Sequence, residues 1–250
     1  MASSRHHHPS SPTTLAQLML ILGIESATLQ VGCALGGHEG VLASAHSARG
    51  RRHAESIAPQ VQFVTQQARV ELQEVSCIAV DLGPGLYTGL RVGISSAMAI
   101  AYALGVPMIG VSSLDLLAFA VRHSNRLIVT AIDARRSELF YACYRQVPGG
   151  IQRVTEPQVG KPHDLITELS ATNSEMLLVG DGARRYSEDF ACLQKTEIAE
   201  QGFAHPSAAS LVQLAHARAL REEFVKPWEL RPIYLRVPDA DISQNTHHTP

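Results

Sequence analysis

The chain has 250 residues, of which 45% are hydrophobic and 18% are charged. That much apolar surface can offset the entropy lost when a chain becomes ordered, so an intrinsically disordered protein is excluded. The 21 basic and 23 acidic residues give a net charge of −2, which provides no general field for a polyanion; contact with nucleic acid must be local or come through a partner.

The first half of the chain predicts a βββαβαβα order. Residues 1–18 are rich in Ser, Pro, Thr and His and lack the long apolar stretch of a secretory signal, so we interpret them as a leader or added segment outside the fold. Alternation, β-branched runs and helical spacing then give the remaining elements. They are strands at 20–24, 30–35 and 41–45, a helix at 53–70, a strand at 77–80, a helix ending near 104, a strand at 108–111 and a helix that begins after Ser112.

The second half repeats this order in outline. It predicts strands at 127–132, 138–144 and 152–155, a helix at 164–169, a strand at 176–179 and a last helix at 207–223. We therefore expect two lobes at 19–123 and 124–238, each built on a βββαβα unit and related by duplication, with a polar tail at 239–250.

Two features bear on the membrane and on the compartment. Between Val92 and Val121 the only charged residue is Asp115, but Ser, Gly and Pro divide this stretch into segments too short to cross about 30 Å of hydrocarbon. We therefore expect a buried core and no membrane contact. The four cysteines are far apart and form no CxxC pair, which excludes a zinc knuckle or a dense disulfide framework and favours a reducing cytoplasm.

The strongest local motif is a glycine-rich turn between a buried strand and a helix, in the run DLGPGLYTGLR at 81–91. Glycines let the backbone approach another group closely, and a helix N-terminus offers N–H donors that suit an anion. The spacing matches neither the Walker loop nor GxGxxG, and the Walker lysine is missing. An anion or nucleotide site, a partner contact and a plain tight turn stay open for the residues Gly83, Pro84, Gly85, Thr88, Gly89 and Arg91.

Polar residues elsewhere give weaker signals. Asp81, Asp133 and Asp181 each follow a predicted strand, at the edge where open α/β sheets bind ligands, and suit either turn capping or a phosphate or magnesium role. The arginines of 49–52 and of 135–136 suit either phosphate contact or a solvated surface. Neither GxSxG nor HExxH is present, so we expect no catalytic residue and no metal site in this chain.

The two long helices of the first half each have a second apolar face. On the first helix, a stripe from Ile57 to Ala68 suits the sheet, while Phe63 and Val70 lie on the opposite side. The second helix is apolar nearly all round, and its small residues allow close helix approach. Such a helix is either buried within its own chain or shared with another subunit. The residues expected at a shared face are Phe63, Val70, Ile94, Ala97 and Ala101.

Five short motifs occur between about Met19 and Arg236. They are Ile24-Glu25-Ser26, Arg52-His53, the glycine run 83–93, Gly-Val-Ser-Ser-Leu at 110–114, and Asp133-Ala134-Arg135. Together they resemble the bacterial TsaB (YeaZ) family, and the glycine run followed by Gly-Val-Ser-Ser-Leu is the specific combination. Members often have Asp-Thr where this chain has Glu25-Ser26, a difference that keeps a carboxylate and a hydroxyl.

The resemblance implies an actin-like, sugar-kinase-like ATPase fold of two ribonuclease H-like lobes, which agrees with the βββαβα order. It implies a noncatalytic scaffold in threonylcarbamoyladenosine synthesis on tRNA. Such a chain would pair with the homologous catalytic subunit TsaD through the two long helices and work with the ATPase TsaE. It would meet tRNA through the complex and need no cofactor of its own, with ATP and magnesium used by the complex.

Two alternatives stay open beside this expectation. An ATP-using kinase or ATPase of the same fold is favoured by the glycine turn and the aspartates at the strand ends. Self-pairing of the isolated chain through the same helices would give a homodimer. The HxxxH metal pair of the catalytic relatives is missing from the matching stretch 111–117, so the resemblance implies no metal site there.

Overall fold

The computed structural model describes residues 19–48 and 53–236, which form two mixed β-sheets with helices packed on them. The first sheet has the order β3-β2-β1-β4-β5; β1, β2 and β3 are antiparallel, and β1, β4 and β5 are parallel. Its strands are β1 (Leu20–Glu25), β2 (Val31–Gly37), β3 (Gly40–Ser47), β4 (Cys77–Asp81) and β5 (Met108–Val111). The helices of this half are α1 (His53–Ala68), α2 (Tyr87–Leu104) and α3 (Ser113–Ala120).

The second sheet repeats the first. Its order is β11-β10-β6-β7-β8, with β9 paired to β7. Its strands are β6 (Leu127–Arg135), β7 (Glu138–Val147), β8 (Gly150–Arg153), β9 (Gln158–Gly160), β10 (Met176–Val179) and β11 (Thr196–Ile198). The helices are α4 (Pro162–Ser170), α5 (Asp181–Arg185), α6 (Ser187–Phe190) and α7 (Ala208–Ala219). Read from β8 to β11, this is the strand order of the first sheet, so the fold is the expected actin-like pair of ribonuclease H-like lobes.

Local sequence signals set several helix ends as predicted. The Ser112 side chain accepts a hydrogen bond from the Leu114 amide at 3.3 Å, and Ser207 accepts one from the Ser210 amide at 3.1 Å, so both serines are N-caps. Helix α2 ends at Gly105, whose φ of 67° is the left-handed conformation that glycine adopts without strain. The stretch 92–121 forms most of α2, then β5 and α3. Within the described residues no helix has the length and apolar character to cross a membrane.

The last helix differs from the prediction that 124–238 forms a single lobe. Helix α7 packs on the first sheet, where Leu211 and Val212 join a core cluster with Ile21 of β1. Beyond it, Val225 bridges to Met108 of β5, and Leu230 is buried in the first lobe's other core cluster. The chain therefore returns to the first lobe after β11, because the face of the first sheet opposite α1 and α2 needs a cover. The predicted segments 1–18 and 239–250 lie outside the described residues.

One buried carboxylate connects the two lobes. Asp115 of α3 accepts hydrogen bonds from the Tyr144 hydroxyl at 2.9 Å and from Arg153 at 2.6 Å, both in the second sheet. Arg218 of α7 lies 3.4 Å from the other carboxylate oxygen and also donates to the Gly110 carbonyl at 2.6 Å. Asp115, the only charged residue between Val92 and Val121, thus contacts elements of both lobes and the last helix.

Candidate functional site

The glycine turn lies between β4 and α2, at the carboxyl edge of the first sheet. Asp81, the last residue of β4, accepts hydrogen bonds at Oδ1 from the Gly83 amide (2.7 Å) and the Ser113 hydroxyl (2.6 Å). Gly83 has a φ of +92°, which requires glycine, and its peptide bond to Pro84 is cis. Asp81 therefore caps the turn, which is one of the two roles predicted for it.

Glycines at 85, 89 and 93 hold the β1–β2 turn against helix α2. A Cβ on Gly85 would lie 2.2 Å from the Ala27 carbonyl oxygen, and one on Gly89 would lie 2.3 Å from that of Ser26. The Leu86 amide donates to the Ala27 carbonyl at 2.7 Å, and the Ser26 hydroxyl donates to the Gly89 carbonyl at 2.9 Å. The spacing of four residues places these glycines on one side, where they face the β1–β2 turn. The close packing gives the glycines a structural role, and binding of an anion stays a prediction.

The remaining residues of the turn face outward near the start of α2. Thr88 and Arg91 are exposed, and the Arg91 guanidinium lies 4.0 Å from the centroid of the Tyr87 ring. That ring contacts Tyr234 at a centroid distance of 5.5 Å, and the Ile233 amide donates to the Leu82 carbonyl at 2.8 Å. The segment 231–236 thus runs across the glycine turn, a contact that sequence reasoning missed.

Two fully buried carboxyl groups lie side by side at this edge. Glu25 and Asp81 follow the paired residues Ile24 and Val80 on neighbouring parallel strands, so both side chains point to the same face of the sheet. Glu25 Oε1 accepts from the Ala27 amide at 2.8 Å, but Glu25 Oε2 and Asp81 Oδ2 have no hydrogen-bond partner. Burial, and then the neighbouring Asp81 carboxyl, raises the pKa of Glu25 well above its usual value. Burial raises the pKa of Asp81 to about 7.

The second sheet has its own carboxylates at the corresponding edge. Asp181 Oδ1 accepts a hydrogen bond from the Asp133 amide at 3.0 Å, and Asp133 Oδ2 lies 3.0 Å from Arg135 and 3.3 Å from Arg185. Burial is the main cause that raises the pKa of Asp181 to about 6. The structure thus brings Asp133 and Asp181 together and gives both of them arginine or backbone partners.

Helices α1 and α2 form an open groove of about 1020 Å³ on the first lobe, lined by apolar and polar residues. Phe63 of α1 is 48% exposed, in agreement with its assignment to the face away from the sheet, and Val70 lines the groove. The rest of the lining is mostly small and apolar on α2 and mixed on α1. It includes Ala58, Gln62, Arg69, Ser96, Ala99 and Ile100.

Three residues expected at this face are instead in the protein's own core. Ile94, Ala97 and Ala101 are 7%, 0% and 0% exposed and pack in the cluster beneath α1 and α2. The reason is the helical period: positions 90, 94, 97 and 101 share the side of α2 that faces the sheet, and positions 96, 99 and 100 face outward. The shared-face prediction was wrong for these three residues. Contact of Phe63 and Val70 with a partner stays a prediction.

Two further predicted features have different outcomes. The arginines of 49–52 lie outside the described residues. Within 19–48 and 53–236 no group of three or more His, Cys, Asp or Glu is arranged to hold a metal ion. In the stretch 111–117, where the sequence resemblance would place a metal pair, Asp115 accepts hydrogen bonds from two arginines. The expected lack of a metal is still to be measured.

Comparisons with known proteins agree with the fold and the motifs. The chain matches the family model described as "TsaD: tRNA N6-adenosine threonylcarbamoyltransferase" over residues 41–245. An uncharacterized Mycobacterium leprae protein is 33% identical over 89% of this chain, which spans only 56% of that relative. The "tRNA threonylcarbamoyladenosine biosynthesis protein TsaB" of Bacillus subtilis is 31% identical, over 65% of this chain and 71% of its own length. The structure of YeaZ from Pseudomonas aeruginosa has a TM-score of 0.76 at 27% identity and covers 87% of this chain and 100% of its own.

Substituting Gly89 by alanine tests the close packing of the turn on α2. Alanine is the better helix former, yet its Cβ would meet the Ser26 carbonyl, so we expect Gly89→Ala to lower the free energy of unfolding by about 1–3 kcal/mol. Thermal melts measure this as a lower Tm. Gly150→Ala is the matched control, because nothing lies within 4 Å of its Cβ position. Equal melts for both variants would contradict the packing.

The buried carboxyl pair predicts an unusual pH dependence of stability. The folded chain keeps a proton on Asp81 up to a pKa of about 7, whereas the unfolded carboxyl loses it near about pH 3.9, so the free energy of unfolding falls as the pH rises between these values. Asp81→Asn keeps the acceptor for Gly83 and Ser113 and removes the ionisation, so its pH profile should be flatter over this window. Urea unfolding from pH 4 to pH 8 measures the slope. The exposed Glu39→Gln should keep the wild-type slope, and a wild-type slope in Asp81→Asn would refute the assignment.

Proposed function

The chain belongs to the TsaB (YeaZ) family, and from this premise we propose that it is the noncatalytic scaffold subunit for threonylcarbamoyladenosine synthesis on tRNA. Its partner is the homologous catalytic subunit TsaD, and the ATPase TsaE works with the pair. The proposal places the chain in the cytoplasm and has it meet tRNA through the complex.

The open groove between α1 and α2 is the observation that carries this proposal. It is a large recess with a partly apolar lining, and the same helix α1 exposes Phe63 outside that lining; exposed apolar surface of this kind on a folded protein is typical of protein interfaces. The outer sides of the two long helices α1 and α2 can pack against two helices of a related subunit, which would give a four-helix arrangement. A homologous partner with the same fold has such helices in the same place.

The surroundings of the glycine turn support a binding role without chemistry. Two of its amides are already used within the chain, since Gly83 donates to Asp81 and Leu86 donates to Ala27. The β1–β2 turn packs directly on Gly85 and Gly89, and the segment 231–236 crosses Leu82. Fewer free donors therefore remain for a phosphate. We propose that ATP and magnesium are used by the complex and not by this chain alone.

Phe63→Asp tests the pairing surface. We expect the variant to stay folded, because Phe63 is outside the core, and to lose association with TsaD by at least about a hundredfold. A carboxylate buried at an interface without a partner costs several kcal/mol, and losing an aromatic anchor can cost about 2 kcal/mol more. Light scattering or sedimentation of the variant, alone and mixed with TsaD, measures pairing, beside a thermal melt.

Leu220→Asp is the matched control for this experiment. Leu220 is 54% exposed and follows α7, which packs on the opposite face of the first sheet, so this variant should pair as the wild type does. If the Phe63→Asp melt collapses, Phe63 belongs to the core and the face assignment is wrong. If both the fold and the pairing persist, α1 is not part of the interface.

A second measurement separates the scaffold from an ATPase of the same fold. We expect the purified chain with magnesium to hydrolyse ATP no faster than the buffer does, because the Walker lysine is missing and two of the turn amides are already used within the chain. Release of phosphate is the readout. A turnover of about 1 s⁻¹ or more that disappears in Asp133→Ala would replace the scaffold proposal by the ATPase alternative.

A further inference from the structure

Two arginines at the edge of the second lobe share one buried carboxylate. Arg135, the last residue of β6, lies 3.0 Å from Asp133 Oδ2, and Arg185, the last residue of α5, lies 3.3 Å from the same oxygen. Asp133 itself is only 5% exposed and also accepts the Arg135 amide at 3.0 Å. One carboxylate beneath the surface thus holds two guanidinium groups next to each other.

These two guanidinium groups, which we call the arginine fork, are both partly exposed to solvent. The side chains of Arg135 and Arg185 are 44% and 57% exposed, and each uses one terminal nitrogen on Asp133. Arg185 also lies over the Tyr186 ring at 5.8 Å, which restricts its orientation. A guanidinium has five N–H donors in a planar arrangement, so several remain for an external acceptor.

The backbone that presents the fork is strained. Arg135, Arg136 and Ser137 have φ values of 64°, 55° and 59°, a left-handed run in the hairpin turn between β6 and β7. Such a conformation is unfavourable for residues other than glycine, and strained backbone of this kind concentrates at functional sites.

Charges of both signs neighbour the fork in sequence. Arg136 and Arg184 neighbour the two arginines of the fork in sequence, and Glu138, Glu188 and Asp189 follow within four residues of them, while the net charge of the chain is −2. Asp133 lies beneath the guanidinium groups and is 5% exposed, so the positive charge at this position is the outward part of the ion pair.

We propose that the arginine fork of Arg135 and Arg185 is a contact site for the phosphate backbone of RNA. The proposal rests on the proposed function in that it takes the RNA substrate as the polyanion. Guanidinium pairs match the oxygens of a phosphodiester in bidentate geometry, and such contacts position an RNA without reading its sequence.

The exposure of the fork favours RNA over a free nucleotide. A single small anion at a half-exposed site is screened by solvent and salt, so it gains little. A polyanion releases counterions as each phosphate is neutralised, and neighbouring phosphates add further contacts. A nucleotide, or an acidic protein in place of RNA, is an outcome of the test.

The test is fluorescence anisotropy of a labelled tRNA transcript titrated with the full chain at several salt concentrations. The double variant Arg135→Gln/Arg185→Gln should weaken binding at least tenfold at low salt and reduce the slope of log K against log salt by about one unit. The matched control is Arg126→Gln/Arg145→Gln. It removes the same charge at the opposite end of β6 and β7. That end is about 26 Å from the fork, because about eight residues of extended strand separate them.

The outcomes separate this proposal from its alternatives and from the proposed function. Equal binding by the two double variants, or no RNA binding by the wild type at low salt, overturns the fork. Displacement of RNA by equimolar ATP or by polyglutamate also overturns it, in favour of a nucleotide or an acidic protein. Pairing of the fork variant with TsaD, measured by light scattering, should stay at the wild-type level. If the arginine fork does not bind RNA but the chain still pairs with TsaD, the proposed scaffold function stands and the fork proposal fails. If Phe63→Asp loses pairing but keeps RNA binding, the fork proposal does not depend on that pairing surface.

Discussion

The carboxylate of Asp115 is the contact on which the arrangement of the two lobes depends. It is the meeting point of α3 in the first lobe, Tyr144 and Arg153 in the second sheet, and Arg218 on α7. Loss of one member of this partly buried ionic cluster leaves the others without compensation. The two lobes and the last helix are therefore joined by directional bonds, in addition to the apolar packing of Leu114, Leu117 and Ala118 on the second sheet.

A second constraint acts inside the first lobe. The β1–β2 turn packs directly on the glycine positions of α2, which sets how close this helix lies to the carboxyl edge of the sheet. With Ile94, Ala97 and Ala101 buried beneath it, the helix can rotate little, so its outer side with Ser96, Ala99 and Ile100 is set as well. The groove between α1 and α2 is thus a consequence of packing on the opposite side of the same helices. Small residues occur on both sides of α2. On one side they allow the β1–β2 turn to approach, and on the other side they leave room for the groove.

Sequence patterns were sufficient for the long, periodic elements and insufficient where contacts are distant. The βββαβα order and the two serine N-caps followed from spacing and capping chemistry, which are local. The return of α7 to the first sheet was not predicted, because the helix carries an apolar face that suits either sheet and nothing local selects one. The short helices α5 and α6 and the strands β9 and β11 have three to five residues each, too few to show a period. For the interface, the exposed side of α1 was assigned correctly at Phe63. The near-uniform apolarity of α2 concealed which side meets the sheet.

The two surfaces proposed for binding lie on different lobes and differ in chemistry. The groove of α1 and α2 is partly apolar and is proposed to hold a folded partner, whereas the arginine fork at the end of β6 presents guanidinium groups that suit a polyanion. Because Asp115 joins the lobes, a partner in the groove and an RNA at the fork would be held on one connected chain with no chemistry needed from it. Apolar contacts are not weakened by charge screening, whereas phosphate contacts weaken steeply as the salt concentration rises. The groove would therefore hold the subunits together at salt concentrations at which RNA dissociates. A scaffold for a transferase that acts on many tRNA molecules would need both properties.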